Sequence, residues 1–298
     1  MAEPVSELAQ PAFPRIGVIG KFADPSVSAT LEQLSNCLLE HGVEVFLDET
    51  TAELHPRCTL KTLTRNELGA QCDLAIIVGG DGSFLNAART LAPFDIPMLG
   101  INLGRLGFLT DVAPSRMEEE LALILAGHYQ QEQRSMLHSG ILRNGEILAE
   151  SNALNDVVLH KWDVARMIEF ETYIDGEFVN KQRSDGLVVA TPTGSTAYAL
   201  SGGGPILAPT LDAFVLVPIC PHTLSNRPIV VEGKSHIEIV LKEGNQGNAQ
   251  VTWDGQINQR LHAGDRIRIE RSAHPLRLIH PPEHCTYKVL REKLGWSG

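Results

Sequence analysis

The sequence predicts an α/β N-terminal domain built on a parallel sheet, followed by a β-rich C-terminal domain. Three observations carry this. Up to about residue 133, short apolar runs alternate with helical stripes. Beyond it, helical periodicity gives way to alternating, β-branched stretches separated by turn dipeptides. The last stretch, Thr286–Leu294, has helical character again and is placed back on the first domain.

Arg15–Gly20 (RIGVIG) is an apolar run ending in glycine, as a strand covered on both faces would be. From Ser26 to Glu40, leucines at 31, 34, 38 and 39 form a helical stripe that His41-Gly42 closes. Val43–Asp48 reads as the second strand. Asp73–Val78 (DLAIIV) is the third and most apolar, and it runs directly into Gly79-Gly80-Asp81-Gly82. Ser83–Leu91 reads as the following helix, Pro97–Ile101 as a further strand and Pro114–Gly127 as another helix. Such alternation puts helices on both faces of a parallel sheet. The strands expected next are Ser139–Arg143, Asp156–His160, Met167–Ile174, Gly186–Ala190, Ile229–Val231, His236–Leu241 and Arg266–Glu270. Asn144-Gly145, Asp175-Gly176, Glu232-Gly233, Glu243-Gly244 and Ala263-Gly264 supply turns. The expected organisation is a flexible leader 1–14, an α/β domain 15–133 completed by 284–298, and a β-rich domain 134–283.

A hydrophobic fraction of 43% in 298 residues is enough for a sizeable core. A net charge of −11 without a long basic run argues against nucleic acid as a partner. An acidic protein that handles polyphosphate must gather positive groups locally or recruit a metal ion. Cysteines at 37, 58, 72, 220 and 285 are odd in number and lack a CxxC pair, so neither a disulfide framework nor a structural zinc site is expected. No apolar run reaches the roughly 18 residues of a membrane span, and Met1–Pro14 lacks the features of a signal peptide. A cytoplasmic protein without membrane partners is the default. His138, His160, His222 and His236 are scattered, so core or surface roles explain them better than metal binding, and no metal ligand is assigned. Trp162, Trp253 and Trp296 are read as packing residues.

Two stretches carry chemistry. Gly79–Gly82 follows the most apolar strand and precedes a helix, at the sheet edge where such folds bind ligands. Glycines allow phosphate to approach backbone N–H groups, and the helix N-terminus adds partial positive charge. An aspartate there repels phosphate, so it must serve otherwise, by taking a proton, holding a metal or bonding a ribose hydroxyl. An ordinary Asp-Gly turn gives the same letters. No GxxxxGK[ST] loop occurs. Thr191-Pro192-Thr193-Gly194-Ser195-Thr196-Ala197-Tyr198 offers hydroxyls, backbone groups and the flat face of Tyr198 to a polar ligand, or caps a helix starting near Ser195. Asn155-Asp156 and Arg183–Gly186 precede strands, and each is equally a turn.

Together with Asn102–Leu109 (NLGRLGFL) and Pro221–Pro228 (PHTLSNRP), these motifs in this order make the chain, from about residue 15 to its end, resemble the NAD kinase family, its bacterial members above all. The resemblance implies an α/β nucleotide-binding domain and a β-rich domain with the NAD site between them. The implied reaction is transfer of the terminal phosphoryl group of ATP, or of polyphosphate, to the 2′-hydroxyl of the adenosine ribose of NAD, with Mg²⁺ carried by the donor. Asp81 matches the catalytic base and Gly82 a backbone contact to the dinucleotide, while Gly79 and Gly80 are expected to offer N–H groups to phosphate. Asn155 and Asp156 match the pair that contacts NAD. Arg166, Arg183 and Asp185 match further dinucleotide contacts. Thr196, Ala197, Tyr198, Ala199, Leu200 and Ser201 match the segment around the adenosine, and Gln256 a late contact. Homodimers or homotetramers are implied, with contacts from the β-rich domain. Lipid kinases of the diacylglycerol type and sugar-phosphate kinases share the glycine-rich loop, but no membrane-facing element or second-phosphate cluster is evident. A non-catalytic dinucleotide sensor is the other alternative. A dehydrogenase is disfavoured because Gly17–Lys21 lacks the full GxGxxG fingerprint.

Overall fold

The computed structural model describes residues 11–21, 27–53, 59–162, 166–242, 244 and 249–296. Residues 1–10 of the expected leader, Ser26, Cys58 and Glu243 lie outside the described residues. In chain order the elements are β1 (Arg15–Gly20), α1 (Val27–Glu40), β2 (Glu44–Asp48), α2 (Glu49–Glu53), β3 (Lys61–Leu63), α3 (Arg65–Gln71), β4 (Leu74–Val78), α4 (Asp81–Leu91), β5 (Met98–Ile101), α5 (Met117–Leu125) and β6 (Gln130–Arg134). There follow β7 (Leu137–Arg143), β8 (Glu146–Ala153), β9 (Asp156–Lys161), β10 (Ile168–Ile174), β11 (Glu177–Ser184), β12 (Gly186–Ala190), α6 (Tyr198–Ser201), β13 (Ala213–Ile219) and β14 (Ile229–Glu232). The chain ends with β15 (Ile237–Leu241), β16 (Ala249–Trp253), β17 (Ile257–Leu261), β18 (Arg266–Arg271), β19 (Leu276–His280) and α7 (Thr286–Leu294).

Two compact units result. The first takes the chain up to Glu132 and again from Leu276, and the second runs from Gln133 to Pro275. The first holds a sheet ordered β3-β2-β1-β4-β5-β19-β6, parallel from β3 through β19. All five residues of β4 are buried, which is why its sequence is uniformly apolar rather than alternating. The stripe of α1 buries Val27, Leu31, Leu34 and Leu38 against Ile16, Val18, Ile76 and Val78. The strand order reverses between β1 and β4, so the carboxyl ends of these two strands form the topological switch point where doubly wound sheets bind ligands.

The boundaries differ from those expected. Phe13, placed in the leader, is 7% exposed in the first unit's core, its ring 5.4 Å from that of Tyr129. Leu276–His280, placed in the β-rich domain, is instead β19, pairing in parallel with β5 through Leu278 and Met98. The return to the first unit therefore comes at Leu276 rather than 284. The helix after the glycine-rich loop starts at Asp81 rather than Ser83, and Pro114–Arg116 is a 3₁₀ turn leading into α5.

The second unit contains two six-stranded sheets, β11-β10-β15-β18-β7-β8 and β14-β13-β12-β9-β16-β17. Their paired strands are antiparallel. Phe170, Ile239 and Ile267 of the first sheet share a core with Leu187, Phe214 and Trp253 of the second. The opposite side of β12 is covered as well: Val188 and Ala190 pack with Ala199 and Leu207, so GLVVA is buried along its length. Among the described residues no helix is long and apolar enough to cross a membrane.

Candidate active site

Asp81 is the first residue of α4, one step past Gly80 at the helix N-cap. Its carboxylate turns toward the loop between β5 and α5. Oδ2 accepts the N–H of Phe108 (2.9 Å), while Oδ1 accepts the N–H of Leu109 (3.0 Å) and the hydroxyl of Thr110 (3.3 Å). A carboxylate has about four lone-pair positions, so roughly one remains for a further partner. Glycine at 107 makes the approach possible: a Cβ there would stand 2.2 Å from both Asp81 Oδ1 and Thr110 Oγ1. The C-terminal helix braces the same loop, Lys293 Nζ donating to the Leu106 carbonyl (2.7 Å) and lying 5.5 Å from the centre of the Phe108 ring. Gly79 donates its N–H to the Ile101 carbonyl (2.9 Å) and Lys21 donates its backbone N–H to Val78 (2.9 Å), which locks the turn onto the ends of β4 and β5.

In the second unit, a cavity of about 460 Å³ brings together Asn155, Asp156, Ala197 and Tyr198 among the residues singled out from sequence. His160 and Asp254 also line it. Asp254, in left-handed conformation (φ 49°) at the β16–β17 turn, accepts the N–H groups of Leu154 (3.2 Å), Asn155 (2.8 Å) and Asp156 (3.2 Å). It thereby fixes the chain where β9 begins. The Asp156 residue is 5% exposed; burial first, and the negative charge of Asp254 second, push its carboxyl pKa up to about 7. His160 donates from Nδ1 to the Lys161 carbonyl (3.1 Å) and accepts at Nε2 from Gln250 (3.0 Å). Burial holds the His160 pKa below the usual imidazole range.

The hydroxyls of the Thr191–Tyr198 loop are engaged within the loop and with the segments packed against it. Thr191 donates to the Leu154 carbonyl (2.6 Å), Ser195 to Pro192 (2.6 Å) and Thr196 to Thr193 (3.1 Å), while Thr193 accepts from Arg134 (3.3 Å). A Cβ at Gly194 would come within 2.0 Å of the Asn155 carbonyl oxygen, so glycine lets the two segments touch. The chain turns as a 3₁₀ segment Gly194–Thr196 before α6. Tyr198 is half exposed at the cavity, whereas Ala199 is buried in the core. The other singled-out residues lie outside the cavity lining. Arg166, Arg183, Ser201 and Gln256 are exposed, Leu200 is half-buried, and Asp185 pairs with Lys161 (2.8 Å). Asp254 escaped sequence reasoning, although an Asp-Gly turn next to Gln256 was its signal.

A doubly wound unit with a carboxylate at its switch point, joined in one chain to a sandwich unit with a polar cavity and a buried carboxyl, has the fold and site of a nucleotide-binding protein. Comparison with known proteins narrows the class. The ATP-NAD kinase N-terminal domain matches residues 16–129 and the ATP-NAD kinase C-terminal domain residues 154–281. An NAD kinase of Pseudomonas entomophila is 53% identical over 286 residues, 96% of this chain and 97% of that protein. One from Teredinibacter turnerae is 52% identical over 287 residues, 96% and 98% of the two chains. Yeast NADH kinase, solved in complex with NADH, superposes with a TM-score of 0.88 at 25% identity, covering all of this chain and 93% of that one. An NAD kinase from Archaeoglobus fulgidus in complex with ATP gives 0.72 at 30% identity, covering 94% and 97%. The chain belongs to the NAD kinase family.

Proposed function

We propose that the protein transfers the terminal phosphoryl group of ATP to the 2′-hydroxyl of the adenosine ribose of NAD, giving NADP. The observation that carries the chemistry is the Asp81 carboxylate, oriented by three hydrogen bonds at the switch point of a parallel sheet. The names of the relatives, and the NADH and ATP bound by two solved neighbours, support a dinucleotide acceptor and a nucleotide donor.

Phosphoryl transfer asks a protein mainly for positioning and charge neutralisation. Asp81 accepts the ribose proton as the new O–P bond forms and the bond from the terminal phosphorus to the bridging oxygen of ATP breaks, releasing ADP. Gly80 lines the donor's phosphates and Gly82 contacts the dinucleotide, whereas the N–H expected of Gly79 is taken by the Ile101 carbonyl, so Gly79 serves the turn rather than the phosphate. The Mg²⁺ that travels with ATP supplies positive charge the acidic chain lacks. Asn155 and Asp156 bond polar groups of NAD, and Tyr198 packs against its adenosine. Arg166, Arg183, Asp185, Gln256 and the Thr196–Ser201 segment are assigned to further dinucleotide contacts. A cytoplasmic homodimer or homotetramer assembled through the β-rich unit is part of the same reading.

The test is a coupled assay of NADP⁺ formation from NAD, ATP and Mg²⁺, with diacylglycerol and fructose 6-phosphate offered in parallel. Phosphorylation of NAD alone is expected. Turnover of either other acceptor in its place would overturn the reading, and NAD binding without ATP consumption would make the protein a sensor. Replacing ATP by polyphosphate then defines the donor.

Gly194→Ala forces the new methyl against the Asn155 carbonyl, where both partners are backbone. A loss of about 1–3 kcal/mol in urea unfolding is expected, together with an NAD KM raised more than the ATP KM. Equal rises in both would dissociate this loop from NAD.

A further inference from the structure

Asp111, His280 and His284 converge in the first unit, and none of the roles assigned above uses them. Asp111 follows the loop that holds Asp81, His280 ends β19, and His284 lies in the turn before α7. Their side chains are 8%, 1% and 5% exposed. A single oxygen, Asp111 Oδ2, stands 2.8 Å from His280 Nδ1 and 2.6 Å from His284 Nδ1, and the two rings stack with centres 3.8 Å apart. As hydrogen bonds alone, these contacts need both rings to donate from Nδ1 to one oxygen. Each neutral ring then keeps an acceptor at Nε2. Both Nε2 atoms and Asp111 Oδ1 are buried without a hydrogen-bond partner, an arrangement that costs free energy at every such atom.

We propose that Asp111, His280 and His284 bind a divalent transition-metal ion, Zn²⁺ in the first instance, through the two Nδ1 atoms and the carboxylate. With Nδ1 given to the metal, each ring proton sits on Nε2, and two orphaned acceptors become donors. Glu132 is placed to receive one of them, its Oε2 standing 3.8 Å from His280 Nε2. Carboxylates commonly orient metal-bound histidines in this way. Two imidazoles and one carboxylate suit zinc better than magnesium or calcium, and the fourth position falls to water. Ligands on bonds of about 2.0–2.1 Å in a tetrahedron stand roughly 3.3 Å apart, so the Nδ1–Oδ2 contacts lengthen by about half an ångström on binding, and the two rings must turn out of their stack to aim both Nδ1 lone pairs at one ion. The ion would tie residues 169 and 173 positions apart in sequence, fastening the returning segment to the loop that orients Asp81.

The experiment uses the full chain, stripped with EDTA and dialysed, then titrated with Zn²⁺ by calorimetry. One ion per chain is expected, with a Kd of about 1 μM or tighter, and excess Zn²⁺ raises Tm. His284→Gln and His280→Asn each weaken binding at least about tenfold. Cys285→Ser does not, because the exposed neighbour Cys285 lies outside the ligand set. Should either histidine variant fail to fold, Co²⁺ on the unaltered chain still reads the ligands. Visible d–d bands without thiolate charge transfer support an imidazole and carboxylate site, and a thiolate band overturns it. Binding weaker than about 100 μM, binding unchanged in folded His284→Gln, or binding lost in Cys285→Ser also overturns the proposal.

Discussion

Asp81→Asn is expected to lower kcat by about 10²–10⁴-fold, or about 3–5 kcal/mol of barrier, while the Kd for NAD stays within a few-fold. The substitution is nearly isosteric, but its two ends meet different surroundings. Asp81 Oδ2 faces one N–H donor, whereas Oδ1 faces an N–H and a hydroxyl. An asparagine keeps its oxygen on one side and turns an NH₂ toward a backbone N–H on the other, so at least one hydrogen bond is lost. A stability loss of about 1–3 kcal/mol in urea unfolding accompanies the rate effect. The two consequences separate with Thr110→Val, which removes one bond to Asp81 and leaves the carboxylate. That variant should lose only a few-fold in kcat. If Thr110→Val matched Asp81→Asn in rate, loop order rather than proton acceptance would explain both. If Asp81→Asn turned over within a few-fold of the unaltered enzyme, Asp81 would not be the base.

The glycine-rich loop was legible because its setting is local. An apolar strand buried on both faces, a run of glycines and a helix follow one another in sequence, and the parallel sheet places that junction at a strand's carboxyl end. The alternating strands β7, β10, β15 and β18, and the continuously apolar stretches of β9 and β12, were legible for the same reason. What escaped depends on distant partners or weak patterns. Leu276–His280 resembles any β-rich segment by itself, and only its pairing with β5 puts it in the parallel sheet. The strands β8, β11 and β17 are largely exposed and polar, so no apolar alternation marked them. β13 is apolar enough but carries Pro218, which discourages a strand reading.

The site shows the same division. Residue types named the loops, but not what each side chain would touch. The hydroxyls of Thr191, Ser195 and Thr196 suggested ligand donors, and the fold engages them with neighbouring carbonyls. Asp254 and Asp111 looked like ordinary polar residues until non-local contacts gave them partners. His280 and His284 had a visible four-residue spacing, yet Asp111 lies 169 positions before the first of them.

Asp156 yields the second large effect, one that depends on pH. The folded chain holds its proton up to about pH 7, against an ordinary 3.8, because the carboxyl is buried near Asp254. A folded pKa above the unfolded one means that the neutral form favours the native state. That contribution is complete below about pH 4 and is lost as pH rises through about 7. The amide of an asparagine cannot ionise, so Asp156→Asn should gain on the unaltered protein between pH 5 and pH 8 by roughly 2–3 kcal/mol, read from urea unfolding at both values. Parallel pH slopes for the two proteins would show that Asp156 ionises freely. Substrate acts in the opposite sense. If NAD hydroxyls donate to Asp156, binding favours the carboxylate, and the NAD KM should fall as pH rises through about 7. Asp156→Asn should flatten that dependence, and Asp156→Ala should raise the NAD KM far more than the ATP KM. A dependence that survives in Asp156→Asn would move the titration to another group.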